Sequence, residues 1–471
     1  MRRFPWAFAA LNLAVICFHV NLFGGWNQLS RALPLLSMIE EGTLRIDARH
    51  ELTGDKAFID GHYYSEKAPA TTFLTLPLYA LARAAFAGSR YAEDGARAYS
   101  SHALDDAIAI GTFVCSVLPF LAILLLFVSR LEERARPDGV STPRMVSVWL
   151  LYGSFVFVYA DYFFGHMLAA LLLLLAYRAF VERDAPFAAG LALGGAFLTD
   201  YPSLVVLAVW GLQSLWARET RRALRLLAGA LPGMAASLLY NWRLTGRPLT
   251  PAYKYVSLPE FELQTQAFGF GGPSPEALWE LVFGQARGFL FHTPLLLCML
   301  LALPVAGLLS VKRWTTSPVL ALLAAYLLVF SSFYMWTGGS CYGPRFLLPV
   351  VVLLLYQAGQ RLVAGPVLPA FVLPLAGGLG LAMNLVVLNT TVHIPPEVRL
   401  PFSSFLIPYL SRGFGSDQTL AAHLLPIPLA ARAALWCAAF GLLLVISRRP
   451  AARPAHVPVA APTSSWPASS R

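Results

Sequence analysis

The residues best suited to chemistry fall in one polar segment, between positions 47 and 69. Carboxylates and basic side chains are dense there, whereas long stretches of the remaining chain carry no charge. A carboxylate can activate an acceptor as a general base, and cations can stabilise a phosphate that leaves. The segment therefore supplies the groups needed for transfer from a phosphate-bearing carrier. Its charged residues include Asp47, Asp55, Lys56, Asp60, Glu66 and Lys67.

Lysine usage draws attention to the same segment. The chain has four lysines, and Lys56, Lys67 and Lys254 fall in segments predicted to lie outside the membrane. Positive residues normally concentrate on the cytoplasmic side, so these three are expected to have a function. Lys67 directly precedes a predicted interfacial helix at 68–86, level with lipid headgroups. Its ammonium can contact a lipid phosphate there, and ordinary headgroup snorkelling is the alternative.

The elements that must position these residues are membrane helices. The chain has 471 residues, of which 57% are hydrophobic and 13% are charged, whereas a soluble domain carries about 25% charged residues. Apolar runs recur along the chain, and a run of about 20 residues is long enough to cross the bilayer as a helix. The composition predicts an all-α polytopic membrane protein with about twelve transmembrane helices and external juxtamembrane helices.

The positions of arginine and lysine predict how the chain threads the bilayer. Twelve crossings with both termini in the cytoplasm place a basic residue in every cytoplasmic turn. Residues 25–104 then form an external catalytic loop within a single domain at 1–446. The stretch 187–216 is predicted to be a hairpin of two short helices, broken near Asp200. The tail at 447–471 is rich in Pro, Ala and Ser and is predicted to be disordered in the cytoplasm.

Other classes of function find no support in the sequence. The net charge of +10 comes from short arginine clusters between apolar runs, which is a topology signal, and we expect no nucleic-acid partner. The five cysteines show no paired spacing, so neither a disulfide framework nor a zinc site is predicted. No ligand cluster with metal spacing occurs. A divalent metal is left open, and no other cofactor is indicated.

Three motifs together resemble the GT-C glycosyltransferases. After a first span and a short amphipathic segment, residues 61–69 read Gly-His-Tyr-Tyr-Ser-Glu-Lys-Ala-Pro. This is similar to the Tyr-x-Glu-Lys-Pro-Pro run of the family-39-like branch, which contains protein mannosyltransferases and lipid A aminoarabinose transferases. Residues 241–248, Asn-Trp-Arg-Leu-Thr-Gly-Arg-Pro, resemble the family's segment after a middle span. Residues 336–345, Trp-Thr-Gly-Gly-Ser-Cys-Tyr-Gly-Pro-Arg, resemble the Trp-x-Gly-Gly…Gly-x-Arg loop of bacterial members.

The resemblance implies a sugar donor linked to polyprenyl phosphate, and it places Lys67 close to the carrier phosphate. Family members usually carry an acidic pair near the end of the first span, where this chain has Asn27 and Gln28. An amide cannot act as a general base. The base then comes from elsewhere in the loop, with Asp47 and Asp55 as the leading candidates, or the chain is a non-catalytic relative. Second-rank candidates for the base are Asp60 and Glu66.

Further candidates for binding the donor or its phosphate lie outside this segment. A short turn at 161–166 is predicted to face the same compartment, and the resemblance implies a donor- or metal-contacting residue there. In the loop at 336–345, glycines let the backbone approach a ligand, and the arginine fork suits a phosphate. Lys56, next to Asp55, is expected to keep that carboxylate ionised. The predicted substrate- or phosphate-binding residues are Arg31, Lys56, Tyr64, Lys67, Asp161, His166, Gly339, Tyr342 and Arg345.

These observations predict an inverting glycosyltransferase on the external face of a bacterial inner membrane. It would move a sugar from a polyprenyl-phosphate carrier to a glycan, lipid or protein acceptor, with membrane lipid as its surroundings. A transporter or flippase for a lipid-linked or anionic substrate is the alternative, although the two-fold repeats typical of transporters are not evident. The sugar, the acceptor and the oligomeric state are left open. The prediction requires the polar stretch before Pro69 and the turn near position 340 to share one side of the membrane.

Overall fold

The computed structural model describes residues 6–86, 102–136, 142–302, 317–365, 367–413 and 417–448. The predicted tail lies outside these residues beyond position 448, as do the N-terminal arginines at positions 2 and 3. Within them the chain folds into helices joined by irregular segments and one small hairpin.

Helices dominate the structure, as the composition predicts. In the N-terminal half they are α1 (Trp6–Cys17), α2 (Trp26–Glu40), α3 (Ala70–Phe86), α4 (His102–Thr112), α5 (Leu118–Arg134), α6 (Pro143–Tyr152), α7 (His166–Tyr177), α8 (Pro186–Thr199), α9 (Ser203–Trp216) and α10 (Thr220–Thr245). In the C-terminal half they are α11 (Glu262–Thr265), α12 (Pro275–Phe283), α13 (Pro294–Leu301), α14 (Pro318–Ser331), α15 (Leu348–Ala364), α16 (Val372–Leu388), α17 (Ile407–Ser411), α18 (Leu420–Leu424) and α19 (Leu429–Ser447).

Four stretches of helix among the described residues are long and apolar enough to cross a bilayer on their own. They are His102–Arg134, which joins α4 and α5 through a π-helical turn, and Thr220–Thr245, Arg345–Ala364 and Leu429–Ser447. Shorter apolar helices of 10–17 residues occupy several of the other predicted spans. The chain is thus a helical membrane protein, and the predicted number of twelve crossings stays a prediction.

A β-hairpin corrects the all-α prediction in one place. Strands β1 (Lys56–Ile59) and β2 (His62–Ser65) pair antiparallel, with Lys56 opposite Ser65 and Ile59 opposite His62. The two residues between them, Asp60 and Gly61, both have positive φ, at 50° and 82°. A two-residue loop of this kind is the tight turn that suits the twist of a hairpin. Asp60 therefore serves the turn, which explains an aspartate there without catalysis.

The predicted break in the stretch 187–216 is confirmed. Helix α8 ends at Thr199 and α9 begins at Ser203, and Asp200 between them has an extended backbone. Helix α8 also packs closely on α10 through glycines, since a Cβ on Gly190 would lie 2.0 Å from the Leu226 carbonyl oxygen. Small residues of this kind let membrane helices approach backbone to backbone. The contact holds α8, which ends at Asp200, against α10.

Helix α6 ends at Tyr152, within the span that the sequence predicts at about 145–160. Gly153, which follows the helix, packs against α16, where a Cβ would come within 2.6 Å of the Gly377 carbonyl oxygen. The freed carbonyls of Tyr152 and Ser154 accept hydrogen bonds from Asn384 Nδ2, at 2.9 and 2.7 Å. Residues 153–166 are all buried. The segment is therefore irregular backbone shielded by protein, and it includes the turn that the sequence predicts at 161–166.

Candidate active site

Lys67 lies at the centre of the candidate site, between two carboxylates. Its Nζ is 2.7 Å from Asp55 Oδ2 and donates a hydrogen bond of 2.6 Å to Glu66 Oε1. The exposed fractions of the three side chains are 14% for Lys67, 13% for Asp55 and 2% for Glu66. The structure thus brings Asp55 and Lys67 together and adds Glu66, which the sequence ranks lower.

Local hydrogen bonds place Asp55 against α2. The Thr53 hydroxyl donates to the Trp26 carbonyl oxygen at 2.9 Å and accepts from the Asp55 N–H at 3.1 Å. Gly54 lies on the Trp26 ring, where an added Cβ would come within 2.6 Å of a ring carbon. Only glycine fits at such a distance. The Gly-Asp pair therefore holds its carboxylate at the surface of α2.

Hydroxyl groups tie the other side of the cluster to α2 as well. Ser65 Oγ lies 2.9 Å from Ser30 Oγ and accepts a hydrogen bond of 3.2 Å from the Lys67 N–H. The Thr72 hydroxyl donates to the Arg31 carbonyl oxygen at 3.0 Å. The end of β2 and the start of α3 are thus both fastened to α2, and Lys67 lies between them.

Glu66 is the most deeply placed member of the cluster. Burial raises the pKa of its carboxyl above the ordinary value of 4.5, while the Lys67 charge opposes this shift and the Asp55 charge adds to it. Its Oε2 is buried and has no hydrogen-bond partner among the described residues. Glu66 therefore favours its protonated form more than an exposed glutamate would.

Arg31 brings a second cation to the site from α2. It is 5% exposed, and its guanidinium donates to Asn27 Oδ1 at 3.1 Å and to the Thr71 hydroxyl at 2.7 Å. Burial holds the pKa of Arg31 below its ordinary value, and attraction by Asp200 and Asp55 opposes this shift. Its hydrogen-bond partners among the described residues are neutral. A buried guanidinium with neutral partners is ready to bind an anion.

His166 and Asp200 form a pair at the ends of α7 and α8. His166 Nδ1 lies 2.7 Å from Asp200 Oδ2, and the side chains are 6% and 20% exposed. The hydrogen bond fixes the orientation of the ring, so that its Nε2 points away from the carboxylate. The sequence predicts His166 as a binding residue, and the structure adds Asp200 as its partner.

Arg345 brings a third cation from the loop at 336–345, called the glycine-rich loop below. Its guanidinium lies over the rings of Phe164 and Phe346, at 5.5 and 5.1 Å from the ring centroids, and its Nε has no hydrogen-bond partner among the described residues. Gly338 has a φ of +78°, and a Cβ there would lie 3.0 Å from Arg345 Nε. The loop thus needs glycine at 338 both for its backbone and for the position of Arg345.

The two segments that the sequence predicts to share a side lie around one site. The charges of Asp55 and Arg345 both act on Arg31, which is also attracted by Asp200. The same two charges act on the buried ring of His393. The site therefore gathers the cations of α2, of the segment before α3 and of the loop before α15.

Three predicted residues of the polar segment lie in other surroundings. Asp47 accepts hydrogen bonds from the Tyr63 N–H at 2.6 Å and, at 2.8 Å, pairs with His62; partial burial raises its pKa, but these two partners hold the pKa below its ordinary value. Lys56 Nζ donates to the His50 carbonyl oxygen at 2.7 Å, and the lysine that contacts Asp55 is Lys67. Tyr64 packs in a small apolar cluster.

Three further predicted residues, Asp161, Tyr342 and Gly339, lie in the core or in contacts that shape the fold. Asp161 is fully buried, with neither carboxylate oxygen hydrogen-bonded to a described residue, and His166 pairs with Asp200 instead. Tyr342 is buried in the core and its carbonyl oxygen accepts the Tyr159 hydroxyl at 2.6 Å. The Gly339 carbonyl oxygen accepts from Arg287 at 3.2 Å.

Sequence reasoning missed the residue that shapes the glycine-rich loop. Arg287 is 1% exposed, and its guanidinium donates to the carbonyl oxygens of Thr337 at 2.7 Å, Gly339 at 3.2 Å and Ile394 at 3.3 Å. A lone arginine next to Gly288 in a loop gives no periodic or spacing signal. Its role depends on a contact across 50 residues of sequence.

The described residues contain no group of three or more His, Cys, Asp or Glu side chains placed to hold a metal ion. The space between the carboxylates of Asp55 and Glu66 is occupied by the Lys67 ammonium.

The fold is similar to two crystal structures of ArnT from Cupriavidus metallidurans, one in the apo state and one bound to undecaprenyl phosphate. The TM-score is 0.46 for both, the identities are 15% and 14%, and the similarity covers 94% of this chain and 75% and 76% of those chains. No known family profile and no curated protein matches the sequence. ArnT is one of the glycosyltransferases that the sequence motifs resemble, and a similarity of this size concerns the fold alone.

Proposed function

We propose that this protein is an inverting glycosyltransferase that takes a sugar from a polyprenyl-phosphate carrier and passes it to a glycan, lipid or protein acceptor. The observation that carries the proposal is the ion-paired cluster of Asp55, Glu66 and Lys67, with Arg31 and Arg345 acting on the same site. It combines a partly accessible carboxylate with three cations in a poorly hydrated place. These are the groups that sugar transfer from a phosphate requires.

The charge balance of the site favours binding of an anion. Arg31, Arg345 and Lys67 contribute three positive charges, and Asp55 and Asp200 contribute two negative charges. Glu66 adds less negative charge, since burial raises the pKa of its carboxyl. A lipid phosphate would compensate the remaining positive charge. Because two of the cations are guanidinium groups, a phosphate can be held through paired hydrogen bonds.

Asp55 is the carboxylate best suited to act as the base. It is 13% exposed, so an acceptor can reach it, and it contacts Lys67, whose partner would be the carrier phosphate. Asp47 is a weaker candidate, because the Tyr63 N–H and His62 engage both of its oxygens and it is not part of the ion-paired cluster around Lys67. In the proposed reaction the acceptor hydroxyl attacks the anomeric carbon as Asp55 takes its proton. The bond to the phosphate oxygen breaks, and polyprenyl phosphate leaves with the bonding electrons.

Release of undecaprenyl phosphate from a panel of synthetic undecaprenyl-phosphate sugars tests the proposal. The purified protein in nanodiscs is incubated with each donor and with bacterial membrane extract as the source of acceptors. We expect release from at least one donor, and a loss of about 100-fold or more in Asp55→Asn, the size of a general-base contribution. Binding of undecaprenyl phosphate to Asp55→Asn should persist, which separates loss of chemistry from loss of folding.

Two results would contradict the proposal. Full activity in Asp55→Asn would exclude this residue as the base. Absence of release from every donor, together with flux of a lipid-linked sugar across proteoliposomes, would favour a transporter. Asp184→Asn is the matched control for removal of a carboxylate. The Asp184 side chain is 81% exposed and pairs with Arg222, at the end of α8 opposite to Asp200.

A further inference from the structure

Residues 252–270, called the crossing segment, run from the β-hairpin to the residues before the glycine-rich loop. Near its start, the Ser257 N–H donates to the Lys56 carbonyl oxygen on β1 at 3.3 Å. At its end, the Gly269 carbonyl oxygen accepts a hydrogen bond of 2.9 Å from the Tyr334 N–H. The crossing segment therefore joins two parts of the chain that the candidate active site combines, and the proposed function gives it no role.

Side-chain contacts hold the crossing segment against the surface that carries Asp55. Leu258 covers Gly54, where an added Cβ would lie 2.7 Å from Leu258 Cδ1. The ring of Phe261 packs edge-on against the ring of Trp26, the first residue of α2, with 6.4 Å between their centroids. Gly54 directly precedes Asp55. The crossing segment thus lies beside the residue that is proposed as the base.

Tyr253, at the start of the crossing segment, offers a neutral hydroxyl beside the charged cluster. The charges of Glu66, Asp55 and Arg345 all act on this hydroxyl. Burial raises its pKa well above the ordinary value of 10, so it keeps its proton. The residue is half-buried, and its hydroxyl is accessible and has no hydrogen-bond partner among the described residues. Tyr253 therefore has both a donor and an acceptor left for a ligand.

Tyr334 brings a second neutral hydroxyl to the same side of the cluster. Gln264 Nε2 donates to the Tyr334 hydroxyl oxygen at 2.8 Å, so the proton of this hydroxyl is left for another acceptor. Burial raises the pKa of Tyr334 to about 12, and the charges of Glu66 and Asp55 add to this shift. Tyr334 also acts on the pKa of Tyr253. Both tyrosines are therefore close to the two carboxylates.

The chemistry of this side of the site suits a sugar better than a phosphate. A phosphate is bound most strongly by cations, which Arg31, Lys67 and Arg345 supply. A sugar ring presents hydroxyl groups that donate and accept hydrogen bonds, together with apolar C–H groups. A tyrosine matches both features, because it combines an apolar ring with a hydroxyl that donates and accepts. In the proposed reaction the anomeric carbon lies next to Asp55, so the sugar ring lies on this side of the cluster.

We propose that the Tyr253 hydroxyl binds a hydroxyl group of the sugar that is transferred, with the Tyr334 hydroxyl as a second contact to the same ring. This inference rests on the proposed function. Tyr253 holds the sugar beside Asp55 while the cations hold the phosphate. A site that hydrogen-bonds a substrate hydroxyl discriminates strongly against analogues that lack this hydroxyl. Tyr253 is then a residue that determines which sugar the protein accepts.

Binding of the donor in the absence of an acceptor tests this assignment. The purified protein in nanodiscs is titrated with undecaprenyl phosphate and with each member of the panel of synthetic undecaprenyl-phosphate sugars. We expect Tyr253→Phe to bind at least one sugar-bearing carrier about tenfold more weakly than wild type, the size of one lost hydrogen bond. Its affinity for undecaprenyl phosphate should stay unchanged. The midpoint of thermal unfolding should also stay unchanged, because the hydroxyl has no partner among the described residues.

Tyr255→Phe is the matched control, because it removes the same group two residues further along the crossing segment. Tyr255 packs against the apolar cluster that contains Ala57 and Leu244. This variant should bind every carrier as wild type does. Wild-type affinity of Tyr253→Phe for every sugar-bearing carrier would overturn the proposal.

Two other results would assign Tyr253 to a different ligand and would also overturn the proposal. Equal weakening for undecaprenyl phosphate and for the sugar-bearing carriers would place its hydroxyl at the phosphate. Unchanged donor binding with slower release of undecaprenyl phosphate in membrane extract would place it at the acceptor. In each of these cases wild type still binds a donor, so the proposed function stands. Failure of wild type to bind any sugar-bearing carrier would contradict the proposed function and this inference together.

Discussion

Arg31 Nε donates a hydrogen bond of 3.1 Å to Asn27 Oδ1, one turn earlier on α2. Asn27 stands where the resembled glycosyltransferases carry an acidic residue. An aspartate at this position would form an ion pair with Arg31, whereas the amide only orients the guanidinium. With asparagine at position 27, the positive charge of Arg31 is therefore not compensated by this nearest neighbour. This relationship gives the asparagine a function that does not depend on acid–base chemistry.

Asn27→Asp should weaken binding of undecaprenyl phosphate and stabilise the fold. The new carboxylate pairs with Arg31 at helical spacing, so the guanidinium is less attractive to a phosphate. We expect the dissociation constant to rise about tenfold, which corresponds to about 1.4 kcal/mol. The midpoint of thermal unfolding should rise at the same time. Both are measured on the purified protein with undecaprenyl phosphate added in detergent.

Asn27→Ser is the control, since it is neutral and keeps an oxygen near Arg31. Its binding should stay within about twofold of the wild-type value, because no charge is added. Unchanged affinity in Asn27→Asp would show that Arg31 does not contact the phosphate.

The sequence predicts well those features that depend on hydrophobicity and on local chain geometry. The apolar runs predict the helices, and Asp200 with Pro202 predicts the break between α8 and α9. Lys67 and Asp55 could be selected because charge is rare in the surrounding chain. Such signals are contained in a few neighbouring residues, so a single sequence carries them.

Contacts between distant segments could not be predicted from the sequence. Lys56 and Lys67 look alike in the sequence, and only the hairpin register and the packing on α2 direct Lys67 toward Asp55 and Lys56 toward His50. Gly153 packs on Gly377 of α16, and no local pattern in the sequence indicates this contact. The burial of the turn around Asp161 is of the same kind, because other parts of the chain cover it.

Removal of the Lys67 charge should destabilise the protein through the two carboxylates that it leaves behind. Asp55 and Glu66 both lie within 2.7 Å of Lys67 Nζ and are mostly buried. We expect Lys67→Gln to lower the free energy of unfolding by about 2–4 kcal/mol, as for a broken buried ion pair. The double variant Lys67→Gln/Asp55→Asn should recover part of this loss, because one unpaired charge is removed with its partner.

Lys254→Gln is the control for the loss of a lysine as such, since Lys254 Nζ donates to the Thr265 carbonyl oxygen and contacts no carboxylate among the described residues. It should cost less than about 1 kcal/mol. Equal losses in Lys67→Gln and in the double variant would contradict the expected recovery, and with it the role of the unpaired Asp55 charge. The measurement is the midpoint of chemical unfolding for the four proteins.

The pH dependence of stability should reveal the burial of Glu66. Burial raises the pKa of this carboxyl in the folded protein above 4.5, its ordinary value. The folded state then binds more protons than the unfolded state, so stability falls as the pH rises from 4.5 through the folded pKa. Glu66→Gln has no carboxyl group at this position, so it should not show this loss of stability. The difference in stability between Glu66→Gln and wild type should therefore increase with pH over that window.

Asp47→Asn provides the opposite case in the same segment. Its partners hold the pKa of Asp47 below the ordinary value of 3.8, so its contribution is complete above pH 3.8 and is lost only as the pH falls further. The difference in the free energy of unfolding between Asp47→Asn and wild type should thus not change with pH above pH 4.5. A flat difference for Glu66→Gln as well would show that Glu66 is ionised as readily in the folded as in the unfolded chain.

Gly338→Ala should weaken the binding of undecaprenyl phosphate by displacing Arg345. A methyl group at this position would lie 3.0 Å from Arg345 Nε and 3.1 Å from Cys341 Sγ, and the φ of +78° adds backbone strain. Because Arg345 lies over Phe164 and Phe346, the displaced guanidinium loses its fixed position. We expect binding about tenfold weaker, the effect of losing one charge-assisted hydrogen bond.

Gly42→Ala separates backbone strain from displacement of Arg345, since Gly42 has a φ of +66° with nothing within 4 Å of an added Cβ. It should lose about 1 kcal/mol of stability and bind normally, and equal weakening in both variants would remove Arg345 from the phosphate site.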